Sequence, residues 1–278
     1  MATETLYEEG FGEGKTFQFI SEYYKGRVTA EQLGEGRYHL VRCSNCTLIF
    51  QKNILDDIGL LDLYERAIDP LESLNKRELA SSDYFREVLR SASVLHTLFK
   101  PEVARDIRVL DFGMGWGHWA MAAKALGVSV VGAELSDKRL AFAESHGIQT
   151  VDPFGEEARG RYDFINTDQV FEHLDDPYKT LQMLVPSLKK YGVIKIFVPN
   201  PNLTYRKLRA KRWTPGKDAF HPLEHINAFN LRSLGEMARR AGLSPLRSEE
   251  VSTGVRQNAG NKLRRFLSAP SWYFRRVR

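Results

Sequence analysis

The stretch Val109-Leu110-Asp111-Phe112-Gly113-Met114-Gly115-Trp116-Gly117 sets an apolar run directly before an acid and three alternating glycines. Glycines let main-chain N–H groups approach a ligand in conformations closed to other residues, and a helix beginning after them offers its positive end. The chemistry this suits is the binding of a nucleotide-like ligand. A second apolar, β-branched run, Val128 to Ala133, ends in Glu134. A carboxylate at such a strand end can accept hydrogen bonds from both hydroxyls of a ribose.

A dinucleotide fingerprint needs a small residue at its third glycine position, and here that position is His118. The spacing instead resembles the first motif of class I S-adenosylmethionine-dependent methyltransferases, an acid followed by x-Gly-x-Gly-x-Gly, read from Asp111 to Gly117. Tyr162 to Pro177, with Glu172-His173-Leu174 before Asp176-Pro177, resembles the fourth strand and following loop of one branch of that family. That branch includes ubiquinone-biosynthesis O-methyltransferases and many sugar and natural-product methyltransferases. Leu188 to Asn200 is similar to its fifth strand, and His225 to Asn230, leading into Leu231 to Gly242, to its next helix.

The resemblance implies an α/β, Rossmann-like class I methyltransferase fold: a twisted, mostly parallel, seven-stranded-type sheet with helices on both faces. It implies S-adenosylmethionine as cofactor, with Asp111 facing the methionine end and Gly113, Met114, Gly115, Trp116 and Gly117 passing beneath it. Glu134 and Leu135 then sit at the ribose, Asp152 at the adenine amino group, and Asp168 and Gln169 on the loop beside the cofactor. Pro153 has no N–H, so either Phe154 completes the adenine contact or the base sits differently. Trp116 either covers the methionine end or packs under the first helix.

Methyl transfer to a hydroxyl requires alignment of donor and acceptor and removal of a proton. His173 is the first candidate base, and His221 and His225, flanking Pro222-Leu223-Glu224, are the second. The competing reading is that Glu172 and His173 cap the next helix and pair with backbone. Gln169 departs from the carboxylate that ubiquinone enzymes often carry there, and no metal is assigned. The expected activity is O-methylation of a small-molecule or glycan-type acceptor, phosphate-bearing or membrane-linked. RNA or N-methylation and a non-catalytic adenosine-ligand-binding regulator are the alternatives.

With 278 residues, 42% of them hydrophobic, the chain can bury a substantial core. Four segments are expected: a ribbon-like piece (1–60), a helical cap (61–104), the cofactor-binding core (105–250) and a basic extension (251–278). Phe17 to Phe50 reads as short β pieces turning at Gly26, Gly34 and Gly36. Cys43-x-x-Cys46 is half of a zinc ribbon; no earlier pair exists, and His39 leaves a closed site one ligand short. Residues 70 to 100 carry helical spacing, with Leu71, Leu74, Phe85, Val88, Leu89, Leu95 and Leu98 as the apolar stripe. Gly10 to Thr16 superficially resembles a phosphate-binding loop, but Glu9 stands where its first glycine belongs and no strand is expected before it. A flexible segment is favoured there over ATP binding.

Seven cations and no acid follow Val251, more than the formal net charge of +5, so the first 250 residues are net acidic. Arg206, Lys207, Arg209, Lys211, Arg212 and Lys217 form a second basic block around Trp213. Such blocks suit a polyanionic partner. Candidates are a phosphate-bearing acceptor, an anionic membrane met by the carboxyl-terminal cations among Phe266, Leu267, Trp272, Tyr273 and Phe274, and, less favoured, RNA. No run of 18 apolar residues occurs, the start is acidic and there are two cysteines. The expected location is the cytoplasm, with peripheral attachment at the inner face of a membrane.

Overall fold

The computed structural model describes residues 2–78, 82–100, 103–247, 251 and 271–277. Two compact units divide the chain: Met1–Glu78, Glu172–Asp175 and Pro199–Glu236 form one; Leu79–Phe171, Asp176–Val198 and Met237–Arg278 form the other.

The first unit is built on an antiparallel sheet of order β1-β2-β3-β9, with β1 at Thr3–Gly10, β2 at Arg37–Cys43, β3 at Ile49–Gln51 and β9 at Asn227–Ala228. Helices α1 (Gly14–Tyr23) and α2 (Ala30–Leu33) join β1 to β2; α3 (Asp57–Asp62) and α4 (Pro70–Glu78) follow β3, and α9 (Asn202–Arg209) precedes β9. Ile20, Tyr24, Tyr38, Leu40, Trp213 and Phe220 pack in its core, and the Tyr38 hydroxyl donates to the Phe220 carbonyl. The expectation of β pieces between Phe17 and Phe50 is corrected in part. Thr16 and Ile20 bury one face of a helix, and Thr29 with Gln32 closes a capping box on α2.

The segment Gly10 to Thr16 is also corrected: a strand does precede it and a helix follows. The Glu9 carboxylate accepts from Thr16 N–H at 2.8 Å and Thr16 Oγ1 at 2.6 Å, sitting at the helix start where a phosphate would lie. Gly14 has φ +52°, and a Cβ there would lie 2.1 Å from Glu9 Oε1. At the far end of β2, Cys43 closes the strand and Cys46 lies in the turn before β3, while His39 Nε2 is engaged with Thr5 Oγ1 at 3.0 Å.

Pro199–Glu236, expected within the core segment 105–250, belongs instead to this first unit. The reason is packing: Trp213, Ala219, Phe220, Leu223 and Ala228 fill its interior, and β9 pairs with β3.

The second unit carries a seven-stranded sheet of order β10-β11-β8-β7-β4-β5-β6. Its strands are β4 (Arg108–Phe112), β5 (Ser129–Ala133), β6 (Gln149–Thr150), β7 (Tyr162–Asp168), β8 (Leu188–Phe197), β10 (Leu243–Pro245) and β11 (Ser271–Arg276). β4 to β8 are parallel, and β10 and β11 antiparallel. Helices α5 (Ser82–Phe99), α6 (His118–Ala125), α7 (Asp137–Ser145) and α8 (Pro177–Leu184) flank it, and α10 (Leu231–Arg240) leads into β10. This is the fold class expected from the sequence, and the helical spacing read over residues 70 to 100 falls on α4 and α5.

From β4 the chain winds outward through β5 and β6, then returns to β7 on the other side of β4. Such a reversal opens a crevice beyond the carboxyl ends of β4 and β7, the usual ligand position in an open α/β sheet.

The basic extension is corrected where it is described. Trp272 to Arg275 pair with β8, and Phe274 is buried, so this piece is a sheet strand and not a free tail. Arg256, Lys262, Arg264, Arg265, Phe266, Leu267 and Arg278 lie outside the described residues. Among those described, no helix is long and apolar enough to cross a membrane.

Candidate functional site

In the second unit, β4 delivers Asp111 and the glycine turn to the crevice. Gly113 N–H and Met114 N–H both donate to the Ala133 carbonyl, at 2.8 and 3.1 Å, tying the turn to the end of β5. Gly113 has φ +67°, and a Cβ there would lie 2.5 Å from Val170 Cγ2. Gly113→Ala is therefore expected to lower the thermal midpoint by several degrees, since the backbone strain alone costs about 1–2 kcal/mol, and to weaken ligand binding in a parallel titration.

Glu134 is the hub of the site. Its Oε2 accepts from Gly115 N–H at 2.9 Å, and its Oε1 from Leu135 N–H at 2.9 Å and Ser136 N–H at 3.2 Å. The Arg139 guanidinium stands 3.8 Å away. Leu135 itself is exposed, and Met114 folds inward over Gly132. Trp116 is buried edge-on against Phe142 of α7 at 5.1 Å, with the Arg139 guanidinium 5.9 Å from its ring, so it packs on a helix, α7 and not the first. His118, at the position a dinucleotide site keeps small, opens α6 and meets Tyr84 and Phe85 of α5 edge-on. Asp152 Oδ1 accepts from Phe154 N–H at 2.9 Å, which engages the one N–H that was to replace the missing donor of Pro153.

Asp111 is buried and pushed up to about 7, first by desolvation and then by the Asp168 charge; Asn166 and Lys195 pull the other way. Its Oδ1 accepts from Asn166 Nδ2 at 2.7 Å, and its Oδ2 has no hydrogen-bond partner among the described residues. Gln169, after the end of β7, takes φ +57°. A Cβ on Gly115 would meet nothing within 4 Å. An orphaned acid oxygen, an open glycine cradle and a strand-end glutamate fit a ligand with a cationic group and a ribose, as S-adenosylmethionine has. Asp111, the glycine turn and Glu134 are the residues that would hold it. Asn166, Ser91 and Lys195, which support this site, were missed in the sequence, although a lysine inside an apolar strand was a visible signal. A separate cleft of about 600 Å³ lies where Leu188 to Tyr191 meet Arg276, at the opposite end of β8, and none of the expected site residues lines it.

The first unit gathers the three candidate bases. His173 Nδ1 donates to the Glu224 carbonyl at 2.8 Å, and its ring meets His225 edge-on at 5.1 Å. His221 Nδ1 donates to the Pro222 carbonyl at 2.7 Å, and its Nε2 lies 3.6 Å from Glu224 Oε1, which also accepts from Tyr24 Oη at 2.7 Å. Gln51 ties the segment down through the carbonyls of His221 and His225. Burial holds His221 below the ordinary histidine range and, helped by His173 and His221, pushes His225 down to about 3. Glu172, His173 and His225 bring a carboxylate oxygen and two ring nitrogens within 4.8 Å of one another, a grouping the sequence reading did not anticipate. The alternative reading of Glu172 and His173 is corrected in its capping part, since Asp176 caps α8, accepting from Lys179 N–H at 2.9 Å, while His173 does pair with backbone, at the Glu224 carbonyl.

A methyltransferase-domain family profile matches residues 82–248, more than half of the chain. Ubiquinone biosynthesis O-methyltransferase of Bordetella avium is 28% identical over 182 residues, which is 58% of this chain and 74% of that protein. The enzyme of the same name from Shewanella halifaxensis is 24% identical over 153 residues, 49% of this chain and 65% of that one. Among solved structures, the plantazolicin methyltransferase BamL, in complex with a triazolic desmethylPZN analog and SAH, aligns with a TM-score of 0.55 at 13% identity, over 80% of this chain and 95% of that one. The 1,6-didemethyltoxoflavin-N1-methyltransferase of Burkholderia thailandensis gives 0.50 at 16%, over 85% and 99%. At these identities the structural likeness is one of fold.

Proposed function

We propose that this chain, which belongs to the methyltransferase-domain family of class I S-adenosylmethionine-dependent enzymes, methylates a hydroxyl oxygen of a phosphate-bearing small-molecule or glycan-type acceptor. Its cofactor, when bound, supplies an electrophilic methyl group on a sulfonium. The chain must then orient the acceptor, exclude water and take the hydroxyl proton.

The observation that carries this reading is a line of contacts within the first unit. Lys217 Nζ lies 5.4 Å from the Tyr23 ring, the Tyr23 ring 4.6 Å from that of His221, and the His221 ring 5.5 Å from that of His225. At one end is Lys217, exposed, and the chain before it carries the exposed cations Arg206, Lys207, Lys211 and Arg212, which suit phosphate oxygens. At the other is His173, a quarter exposed, whose Nδ1 is held by the Glu224 carbonyl and whose Nε2 lies 3.9 Å from Glu172 Oε1, a carboxylate that would stabilise the ring once it has taken a proton. His225, held near 3, is too weak a base for this step near neutral pH, and it serves to pack and orient His173. The relatives named ubiquinone biosynthesis O-methyltransferase support an oxygen acceptor.

The test is transfer of radiolabelled methyl from S-adenosylmethionine to matched panels of phenols, nucleotide sugars, lipid-linked glycans, amines and RNA. Transfer to a hydroxylated, phosphate-bearing acceptor is expected, and His173→Ala should cut kcat by about a hundredfold or more with cofactor affinity unchanged. Turnover confined to amines or RNA would overturn the O-methylation reading. Tight cofactor binding with no transfer across the panels would favour a regulator.

A further inference from the structure

Lys195 lies between Ile194 and Ile196 on a strand segment buried from Gly192 to Ile196, and its own side chain is 1% exposed. Burying an ammonium group is unfavourable unless oxygen atoms surround it. Three do so here: Nζ donates to Ser91 Oγ at 2.9 Å, Asn166 Oδ1 at 3.0 Å and Asp168 Oδ2 at 3.3 Å. Asn166, fixed through its oxygen, turns its amide N–H toward Asp111 Oδ1. Ser91 is fixed in turn by Trp119 Nε1 at 3.1 Å. One buried ammonium thus sets the orientation of acids near the ends of both β4 and β7, the two strands that border the switch point.

The charge count is also informative. Lys195 is one cation against two acids, Asp111 and Asp168, so the fully ionised network carries one negative charge in excess. One oxygen of Asp111 takes no side-chain hydrogen bond among the described residues, and the Asp168 side chain is 40% exposed. A single further cation, arriving in the crevice, would complete the set.

We propose that Lys195 is a positioning residue for the amino-acid end of the cofactor: acting on Asp168 directly and on Asp111 through Asn166, it presents both carboxylates to the α-ammonium group. This rests on the assignment of the crevice to S-adenosylmethionine. The residue touches no reacting atom; its effect is on how the cofactor is held, and it is confined to ligands that carry the amino-acid portion.

The test compares two probes by calorimetry, S-adenosylhomocysteine, which has the α-ammonium group, and 5′-methylthioadenosine, which lacks it. Lys195→Met keeps the length and apolar contacts of the side chain's stem and deletes the ammonium group. It is expected to weaken S-adenosylhomocysteine about tenfold or more while methylthioadenosine changes by no more than about twofold. Equal loss of both probes would make Lys195 a purely structural residue, and loss of neither would make it a spectator; either result overturns the proposal. Should the methionine variant fail to fold, Ser91→Ala removes one of the three oxygens around the ammonium and reads the same selectivity, at about threefold against one. Equal or absent loss there overturns it as well. A wild-type protein that binds neither probe overturns the cofactor assignment and, with it, the role given to Lys195.

Discussion

Glu134→Ala is expected to weaken binding of S-adenosylmethionine and S-adenosylhomocysteine by about a hundredfold or more, because charge-assisted hydrogen bonds contribute about 1.5–3 kcal/mol each and two ribose hydroxyls lose their acceptor. The loss has a second source. Glu134 bonds the N–H groups of Gly115, Leu135 and Ser136, so its carboxylate also holds the glycine turn against the end of β5. Removing it frees three main-chain donors at once, and the thermal midpoint should fall by several degrees even without ligand. Glu134→Gln separates the contributions: its single amide oxygen retains part of the brace, and its affinity should fall between those of wild type and the alanine variant. Calorimetry with each nucleoside, beside thermal melts of the free proteins, reads both effects. Undiminished affinity in the alanine variant would remove Glu134 from the site.

Asp111→Asn is expected to make the free protein more heat-stable than wild type at pH 8, to lose that advantage toward pH 5, and to bind the cofactor more weakly at pH 8. The sign follows from burial. The folded carboxyl is pushed up to about 7 from the usual 3.8, so between those values the native state holds a proton that the unfolded chain has released. The stability this group contributes is therefore complete below about pH 4 and is lost as pH rises through about 7, a swing on the order of 4 kcal/mol. Asp168 and Lys195 are the charged neighbours that act on it, in opposite directions. His225, pushed down to about 3, contributes the reverse trend, with stability gained as pH rises toward 6.5. The wild-type profile is thus a composite, and the difference between wild type and variant isolates Asp111. A cationic ligand group favours the ionised acid, so wild-type cofactor affinity should climb between pH 6 and 8 and the variant's should stay flat. Parallel pH profiles in melts and titrations would sink this assignment.

Much of the cofactor half was legible from residue type and spacing. An apolar run into Asp111 and alternating glycines can hardly be anything but a central strand meeting a ligand turn, and Glu134 at the end of the next strand follows from the same logic. Lys195 and Asn166 were legible in principle, since a lysine between two isoleucines must find oxygen atoms somewhere. Which oxygens they are depends on register across β7 and β8, and that is a long-range fact. The membership of Pro199–Glu236 was hidden for a similar reason: β9 is two residues long, and what draws the segment away is the pairing of Asn227 and Ala228 with β3 and the burial of Trp213 and Phe220. Glu9 shows the opposite case. By type it is the mismatch that spoils a phosphate loop, and its carboxylate bonds the helix start that such a loop reserves for phosphate.

The place of β11 bears on how the chain reaches this state. The strand lies well beyond β8 in sequence yet pairs between β8 and β10, so neither neighbour has these main-chain partners until residues 271–276 are in place. Until then β8, with Val193, Ile194 and Ile196, presents an open edge of the kind that invites pairing with another molecule. Completion of the sheet is a late, long-range event that follows the local hairpins and helices. Correct folding therefore requires β11 to reach β8 before another molecule pairs with that edge.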